Sequence, residues 1–374
     1  MIYLDSLASF PLLPEVYDAM CESLKEDYAN PSASHLLGTS AQEKIENVRA
    51  QIADRLEAFP SEIIFTSGAT ESNNLILKAH VERALAQGNI PHLITSAIEH
   101  KCILAICKHL ESKGCEVTYL APNNKGVVSP ESVRKAIREN TILVSLMHVN
   151  NELGTINPIR EYGKICFENE VAFHTDAAQS FLKTALDVED DFIDALSLSA
   201  HKIGGPKGIG VAYFRDLRNK DLQPVIHGAG QELGIRGGTL ATPLIVGFGA
   251  AVENFEPRYE KAPFDLLKTN LLDLLKSHGI EYYVNGEGQT LDSCLSITLP
   301  NIDVDGLLRS TKDIYSLSQS SACSAGSIEP SHVLSALGFD RARAAKTLRI
   351  SFSFYTQAEE ISKLVKDISY FREG

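Results

Sequence analysis

Five apolar segments of the sequence each end in a short run of polar or ionisable residues. These runs are Ser67-Gly68-Ala69-Thr70-Glu71-Ser72, Glu99-His100, His148-Val149-Asn150-Asn151-Glu152, His174-Thr175-Asp176-Ala177-Ala178-Gln179 and Ser199-Ala200-His201-Lys202. Together they supply an amine, a carboxylate, imidazoles and a loop of small residues that opens a helix. Pyridoxal phosphate needs this combination, because a lysine holds its aldehyde as a Schiff base, a carboxylate pairs with its ring nitrogen, and N–H and hydroxyl donors bind its phosphate.

Three of these residues fit the covalent and ring contacts of such a cofactor. Lys202 fits the Schiff-base amine, and Asp176 fits the partner of the ring nitrogen. His100 can stack its imidazole on the ring. Lys207, in Gly-Pro-Lys-Gly, is the rival amine, and we interpret it as a turn residue between two strands. Any one of these residues alone is also typical of a hydrogen-bonded polar group at the end of a strand.

Ala69 and Thr70 fit the phosphate contact. Small residues let the backbone approach a ligand, and the first N–H groups of a helix are unpaired and carry a partial positive charge. The alternative interpretation is a capping box that joins Ser67 to Thr70 and Glu71, which requires no ligand.

The segments that carry these residues alternate between strand-like and helical patterns. We predict seven strands, at 63–67, 92–98, 116–120, 141–149, 171–175, 192–197 and 210–214. Helices are predicted between them at 71–86, 101–113, 130–139 and 158–169. Apolar strands that alternate with helices favour an α/β fold with a mostly parallel sheet, covered on both faces. Ligands of such sheets bind beyond the carboxyl ends of the strands, where the polar runs lie.

The pattern changes after about residue 256. Helices at 264–277 and 357–371 flank short strands near 281–284, 293–299 and 348–353, which is typical of a smaller α+β domain. We therefore predict a large domain at 15–256 and a small domain made of 1–14 and 257–374. The small-residue segment from Ser316 to Ser327 can bury little apolar surface and predicts a mobile loop.

Composition limits the possible functions. Of 374 residues, 44% are hydrophobic and 22% are charged, which is ordinary for a globular protein and excludes a disordered or collagen-like chain. The net charge of −13 disfavours direct binding to nucleic acid. Since we find no apolar run of membrane-spanning length and no signal-peptide pattern, we expect a cytoplasmic protein without membrane contact. Seven scattered cysteines without a Cys-x-x-Cys pair predict neither disulfides nor a metal site.

Four spaced strings resemble the pyridoxal-phosphate-dependent cysteine desulfurases of aminotransferase class V, and the resemblance runs nearly end to end. The strings are Thr66-Ser67-Gly68-Ala69-Thr70-Glu71-Ser72-Asn73-Asn74, His148-Val149-Asn150-Asn151-Glu152-Leu153-Gly154, Ser199-Ala200-His201-Lys202 followed by Gly205-Pro206-Lys207-Gly208, and Ser321-Ala322-Cys323-Ser324-Ala325-Gly326-Ser327 followed by Glu329-Pro330-Ser331. The resemblance implies the fold of the type I pyridoxal-phosphate-dependent transferases.

The resemblance also implies a role for each site residue. Lys202 would form the Schiff base and move the substrate Cα proton, with His100 stacked on the ring and assisting. Arg349 would bind the substrate carboxylate, with Asn151 nearby. Thr239 would reach the phosphate in a partner subunit, which implies a homodimer. The residues implied to hold the cofactor are Ala69, Thr70, His100, Asn151, Asp176, Gln179, Ser199, His201, Lys202 and Thr239.

Cys323 indicates the reaction. By the resemblance, its thiolate attacks the sulfur of L-cysteine, releases L-alanine and passes the resulting persulfide to an acceptor protein. The long loop resembles the branch of the family that delivers sulfur to partners, such as an iron–sulfur scaffold or a component of tRNA thiolation or DNA phosphorothioation. One alternative is another class V enzyme, a transaminase or β-eliminating lyase that does not use Cys323. A non-catalytic subunit that keeps the fold is a further alternative.

Overall fold

The structure, a computed structural model, describes residues 1–217, 222–286, 288–319, 321–324 and 327–373, and within 321–330 it describes the backbone only. The chain begins with a short strand and two helices, for which the sequence analysis made no prediction. These are β1 (Ile2–Tyr3), α1 (Pro14–Glu26) and α2 (Leu36–Asp54). The strands and helices of a central sheet follow.

The central sheet has seven strands among the described residues. They are β2 (Ile63–Thr66), β3 (His92–Ser96), β4 (Glu116–Leu120), β5 (Thr141–Ser145), β6 (Ala172–Asp176), β7 (Ala195–Ser199) and β8 (Gly210–Phe214). Their order is β2-β8-β7-β6-β5-β3-β4, and only β8 runs antiparallel to its neighbours. The prediction of a mostly parallel seven-stranded sheet is confirmed.

Helices cover both faces of this sheet. They are α3 (Ala69–Ala86), α4 (Lys101–Glu111), α5 (Pro130–Ala136), α6 (Ile159–Glu168) and α7 (Thr242–Glu260). Successive side chains of a strand point to opposite faces. Accordingly, Ile64 packs in one apolar cluster with Leu75 of α3, whereas Phe65 packs in another with Phe248 of α7. Because both faces are covered, apolar residues are frequent on both faces of the strands, and such short, largely apolar runs made the strands predictable.

A second set of elements forms smaller sheets. It comprises α8 (Phe264–Ser277), β9 (Tyr283–Val284), β10 (Cys294–Thr298), α9 (Val304–Thr311), β11 (Tyr315–Ser316), β12 (Ser318–Gln319), β13 (Ser321–Ser324), β14 (Ser327–Pro330), α10 (His332–Ala336), α11 (Arg341–Ala345), β15 (Thr347–Ser351) and α12 (Ala358–Ser369). β12, β15, β10 and β9 form an antiparallel sheet in that order, and β1 pairs with β11.

Helix α7 runs through residue 256, where the sequence analysis predicts a domain boundary. Phe255 and Tyr259 of this helix pack in the same apolar cluster as Leu295 and Ile297 of β10. The apolar core therefore continues from the central sheet into the C-terminal elements. The division of the chain into two domains stays a prediction.

The small-residue segment differs from the predicted loop. Its described backbone includes β12 and an antiparallel hairpin of β13 and β14, in which Cys323 is paired with Ile328. Backbone hydrogen bonds hold such a ladder, so it needs no apolar side chains. Among the described helices, none combines the length and apolar character that crossing a bilayer requires.

Candidate active site

One cavity of about 600 Å³ lies beyond the carboxyl ends of the central strands. Ten of the predicted site residues line it, although they come from six separate segments of the chain. They are Ala69, Thr70, His100, Asn151, Asp176, Gln179, Ser199, His201, Lys202 and Arg349. The carboxyl ends of five central strands supply one to three of them each, which is the convergence that the sequence pattern predicts, and Arg349 comes from β15.

Lys202 lies in a short helical turn that follows β7. Its Nζ donates hydrogen bonds to the carbonyl oxygens of Leu7 at 2.8 Å and Ala8 at 2.9 Å. Burial and then the positive charge of Arg349 lower the pKa of Lys202 to about 8, while Asp176 opposes this change. Near neutral pH, part of this amine is therefore unprotonated and nucleophilic, which an aldehyde-binding lysine requires.

Asp176 is the last residue of β6 and is buried at the floor of the cavity. Asn73 Nδ2 donates to its Oδ2 at 2.8 Å, and the Ala178 backbone N–H donates to its Oδ1 at 3.0 Å. Both oxygens are thus held by donors from the protein. A fixed carboxylate of this kind can accept a hydrogen bond from a protonated ring nitrogen.

The N-terminus of α3 forms one wall of the cavity, with Ala69 and Thr70 as its first residues. Gly68 precedes them with φ +147°, a conformation that favours glycine. A Cβ on Gly210 would lie 2.5 Å from the Cα of Gly68, so the two backbones meet closely here. Glu71 Oε2 accepts a hydrogen bond from the Ser67 backbone N–H at 2.7 Å, but the N-cap of α3 is Gly68 and no side chain caps this helix, so the capping box on Ser67 is only half formed.

Two histidines of the cavity are neutral near pH 7. Desolvation by the cavity walls lowers the pKa of His100, whose Nδ1 accepts from the Cys102 backbone N–H at 3.2 Å. Burial, reinforced by Lys202, lowers the pKa of His201 to about 4. A neutral His100 suits stacking on an aromatic ring and exchange of a proton with a substrate.

Gln179 is held at both ends of its amide. Its Nε2 donates to the Leu7 carbonyl oxygen at 2.7 Å, and Lys183 Nζ donates to its Oε1 at 3.3 Å. Because Leu7 accepts and Lys183 donates, both partners require the same orientation of the amide. That orientation turns the Nε2 donor toward the side of Leu7, which itself lines the cavity.

Arg349 of β15 is buried at the cavity wall. Its Nη1 donates to the Asn151 carbonyl oxygen at 2.6 Å, and its Nη2 donates to Asp5 Oδ1 at 2.6 Å and Ser318 Oγ at 3.0 Å. The Nε–H is buried and finds no hydrogen-bond partner among the described residues. An unpaired buried guanidinium N–H beside a cavity is a donor for a carboxylate ligand.

Cys323 is the predicted catalytic residue whose side chain lies outside the described part of the chain. Its backbone lies in β13, and both ends of its hairpin are tied to the rim of the cavity. Before it, Ser318 Oγ donates to Asp5 Oδ1 at 2.8 Å. After it, Ser331 Oγ donates to Glu152 Oε2 at 2.5 Å. Glu152 directly follows Asn151, which lines the cavity.

Thr239 is exposed and is not among the described residues that line this cavity. Arg236, three residues before it, forms an ion pair with Glu71 at 2.8 Å, and Glu71 lines the cavity. Thr239 therefore lies near the rim but apart from the other ten residues. Its role in the site of a partner subunit stays a prediction.

The sequence analysis missed several groups that position the site. Asp5 pairs with Arg349, the carbonyls of Leu7 and Ala8 bind Lys202, and Asn73 binds Asp176. Asn73 lies within the first family-like string, which was a signal that it has a role there. The backbone carbonyls had no signal in the sequence, because every residue carries one.

The residues of the cavity fit pyridoxal phosphate. Lys202 supplies an amine with a lowered pKa, and Asp176 supplies an oriented carboxylate. The first N–H groups of α3 have no acceptor within the helix. They lie at the wall of the cavity, where the preceding glycine lets the backbone approach a phosphate. We therefore find the donors and acceptors that the aldehyde, the ring nitrogen and the phosphate of this cofactor require.

Comparison with known proteins gives concordant results. The family model for aminotransferase class V matches residues 2–364. A relative from Encephalitozoon cuniculi, "Cysteine desulfurase, mitosomal", is 43% identical over 379 aligned residues, which cover 100% of this chain and 88% of the relative. A solved structure described as "SspA in complex with cysteine" is 46% identical with a TM-score of 0.85, covering 94% of this chain and 99% of its own. A NifS-like protein is 35% identical with a TM-score of 0.90, covering 99% and 98%.

Proposed function

The chain belongs to the aminotransferase class V family and, within it, to the cysteine desulfurases, and on this premise we propose how its residues perform the reaction. It is a pyridoxal-phosphate-dependent enzyme that converts L-cysteine to L-alanine, and the sulfur is received by Cys323 as a persulfide. One observation carries the proposal: a single cavity contains Lys202, Asp176 and Arg349, and the hairpin of Cys323 is attached to its rim.

Pyridoxal phosphate, when bound, withdraws electrons from the substrate Cα and makes its proton acidic. When the cofactor is bound, Lys202 would hold its aldehyde, Asp176 would pair with its ring nitrogen, and Gln179 would bind its ring hydroxyl. The N-terminus of α3 binds the phosphate. The full set of residues proposed to hold the cofactor within one chain is Ala69, Thr70, His100, Asn151, Asp176, Gln179, Ser199, His201 and Lys202.

Arg349 and Lys202 have different roles toward the substrate: the first binds it, and the second moves its proton. Arg349, whose side chain lines the cavity, binds the carboxylate of L-cysteine, with Asn151 beside it. Lys202, with a pKa of about 8, is suited both to accept the Cα proton and to return it. His100, whose pKa is lowered by burial, would assist this transfer.

Cys323 is the nucleophile toward sulfur. Its thiolate attacks the substrate sulfur, a sulfur–sulfur bond forms, and the carbon–sulfur bond breaks with its electron pair left on Cβ. Cβ takes up the proton of the substrate thiol, so thiolate plus cysteine yields persulfide anion plus alanine, and no external oxidant or reductant is needed. Burial raises the pKa of the thiols of five other cysteines and keeps these thiols protonated. They are Cys102, Cys107, Cys115, Cys166 and Cys294.

The chain length between the anchor and the thiol supports this role. Cys323 is five positions after Ser318, whose Oγ contacts Arg349. A fully extended chain of five residues spans at most about 18 Å. The chain therefore keeps Cys323 within this distance of the residue that contacts Arg349, and a sulfur-accepting residue must lie close to the substrate site.

Incubation with ³⁵S-labelled L-cysteine tests the proposal. We expect one equivalent of label on Cys323 and an equal amount of alanine in a single turnover without acceptor. Cys323→Ser should abolish both, while the visible absorption of the bound cofactor persists. Alanine formation that continues at the full rate in Cys323→Ser would instead indicate a class V enzyme that does not use this thiol.

We also propose a homodimer in which Thr239 completes the partner's site. Tyr17 and Leu24, one above the other on α1, and Leu36 on α2 are 61%, 63% and 82% exposed, an apolar surface that a second copy would cover. Mixed dimers of Lys202→Ala and Thr239→Val test this arrangement. If Thr239 acts across the interface, one site in each mixed dimer is intact and activity returns. If it acts within its own chain, mixing restores nothing.

The sulfur acceptor is proposed to be a protein. The candidates are an iron–sulfur scaffold and components of tRNA thiolation or DNA phosphorothioation. Capture of labelled sulfur from the Cys323 persulfide by purified candidates distinguishes them. The cytoplasmic location expected from the sequence stays a prediction.

A further inference from the structure

Four buried polar side chains form one continuous hydrogen-bond chain beneath the cavity, which we call the polar chain. It begins at the carboxylate of Asp176 and consists of Asn73, Ser197, His174 and Ser145. Its members come from α3, β7, β6 and β5, and each is at most 1% exposed. None of the steps proposed above uses them.

Elementary chemistry fixes the direction of every bond in the polar chain. The carboxylate of Asp176 only accepts, so Asn73 presents its Nδ2 to it, at 2.8 Å, and its Oδ1 faces Ser197. Ser197 donates its single hydroxyl proton to that Oδ1. The hydroxyl oxygen of Ser197 must then accept from the next member.

That next member is His174, whose Nε2 lies 2.8 Å from Ser197 Oγ. Since Ser197 has no second proton to give, His174 must carry its proton on Nε2. Burial lowers the pKa of His174 to about 3, so the ring is neutral and its Nδ1 is an acceptor. Ser145 Oγ, at 2.8 Å from Nδ1, therefore donates to it.

All four hydrogen bonds thus point the same way, with each donor directed toward Asp176. Aligned hydrogen bonds polarise one another, and the donor at the end of the polar chain is directed at one oxygen of Asp176. The backbone N–H of Ala178 holds the other oxygen of Asp176. The carboxylate can then present its remaining lone pairs to the cavity in one orientation.

We propose that the polar chain positions Asp176, so that its carboxylate is held in one orientation toward the ring nitrogen of the cofactor. The inference rests on the proposed function, because it assigns Asp176 to that nitrogen. The members of the polar chain are positioning residues, since they reach the cofactor only through Asp176. Their effect should decline with distance along the polar chain, which a general role in sheet stability would not produce.

Ser197→Ala and Ser145→Ala test the proposal, with Thr175→Val as the matched control. Thr175 precedes Asp176, is fully buried, and its Oγ1 has no hydrogen-bond partner in the described part of the chain. All three variants lose one buried hydroxyl. The purified apo-proteins are titrated with pyridoxal phosphate, and the dissociation constant and visible absorption spectrum are recorded.

We expect Ser197→Ala to weaken cofactor binding about tenfold and to shift the absorption band, because one hydrogen bond to a charged network is lost. Ser145→Ala, two bonds farther from Asp176, should weaken binding about two- to threefold. Thr175→Val should bind and absorb like the unmodified protein. Wild-type values in both serine variants, or an equal change in Thr175→Val, would overturn the inference. A wild-type protein that forms no absorbing complex would instead overturn the proposed function.

Discussion

The rate at which the apo-protein attaches its cofactor should follow the titration of Lys202. With a pKa of about 8, roughly one tenth of this amine is neutral at pH 7. A lysine with an ordinary pKa of about 10.4 would be about 0.04% neutral at the same pH. The environment of Lys202 therefore raises the concentration of its nucleophilic form about 200-fold.

Stopped-flow absorbance at several pH values measures this effect. The attachment rate should rise between pH 6 and pH 9, with a midpoint near 8, because only the neutral amine attacks the aldehyde. Arg349→Gln removes the positive charge that helps to lower this pKa, so the midpoint should move to higher pH. Borohydride reduction followed by peptide mapping identifies the modified residue.

Two variants control the assignment of the amine. Lys202→Ala should lose the visible band and all turnover, whereas Lys207→Ala should still carry the reduced cofactor on Lys202. Lys207 is exposed, at the turn that precedes β8. A rate midpoint that stays above pH 10, or a cofactor found on Lys207, would refute the reasoning.

Three further outcomes follow from the site. Arg349→Gln should raise the KM for cysteine about 10- to 100-fold, because a charge-assisted hydrogen bond to the carboxylate is lost. Cofactor binding should weaken far less. An unchanged KM would contradict the assignment. Cys323→Ser should bind cofactor and cysteine normally and yield no protein-bound ³⁵S. The control variant Cys21→Ser should keep the label. Label that remains in Cys323→Ser would point to another thiol. Gly68→Ala, at φ +147°, should weaken cofactor binding by about 1–2 kcal/mol because the loop must shift. Gly88→Ala, at φ +81° with open space around it, should lower only the thermal stability. Equal cofactor affinities in the two variants would refute the role of the loop.

Local sequence patterns predicted the central sheet because its strands are short apolar runs between helical periods. All seven predicted strands exist; two have the predicted bounds, and the ends of the other five differ by at most four residues. The pattern could not predict β13 and β14, because a run of small polar residues has no periodicity that favours a strand over a loop. It also gave no reason for α7 to pass through the predicted domain boundary.

The candidate site divides in the same way. Lys202, Asp176 and His100 could be chosen from the sequence because few residue types perform their chemistry and each follows a strand. The ion pair of Asp5 with Arg349 joins residues 344 positions apart. Only the pairing of the N-terminal segment with β15, through a parallel bridge of Asp5 with Ser351, brings this pair together.

The sequence by itself determined the chemical groups of this protein, their order, and the strands whose carboxyl ends carry them. The tertiary structure decided how those groups are held, from the carbonyls of Leu7 and Ala8 on Lys202 to the polar chain behind Asp176. The physical reason is that hydrogen bonds require donor and acceptor within about 3 Å and correctly directed. Strand register and the packing of distant segments set that geometry, and no local pattern of residues encodes it.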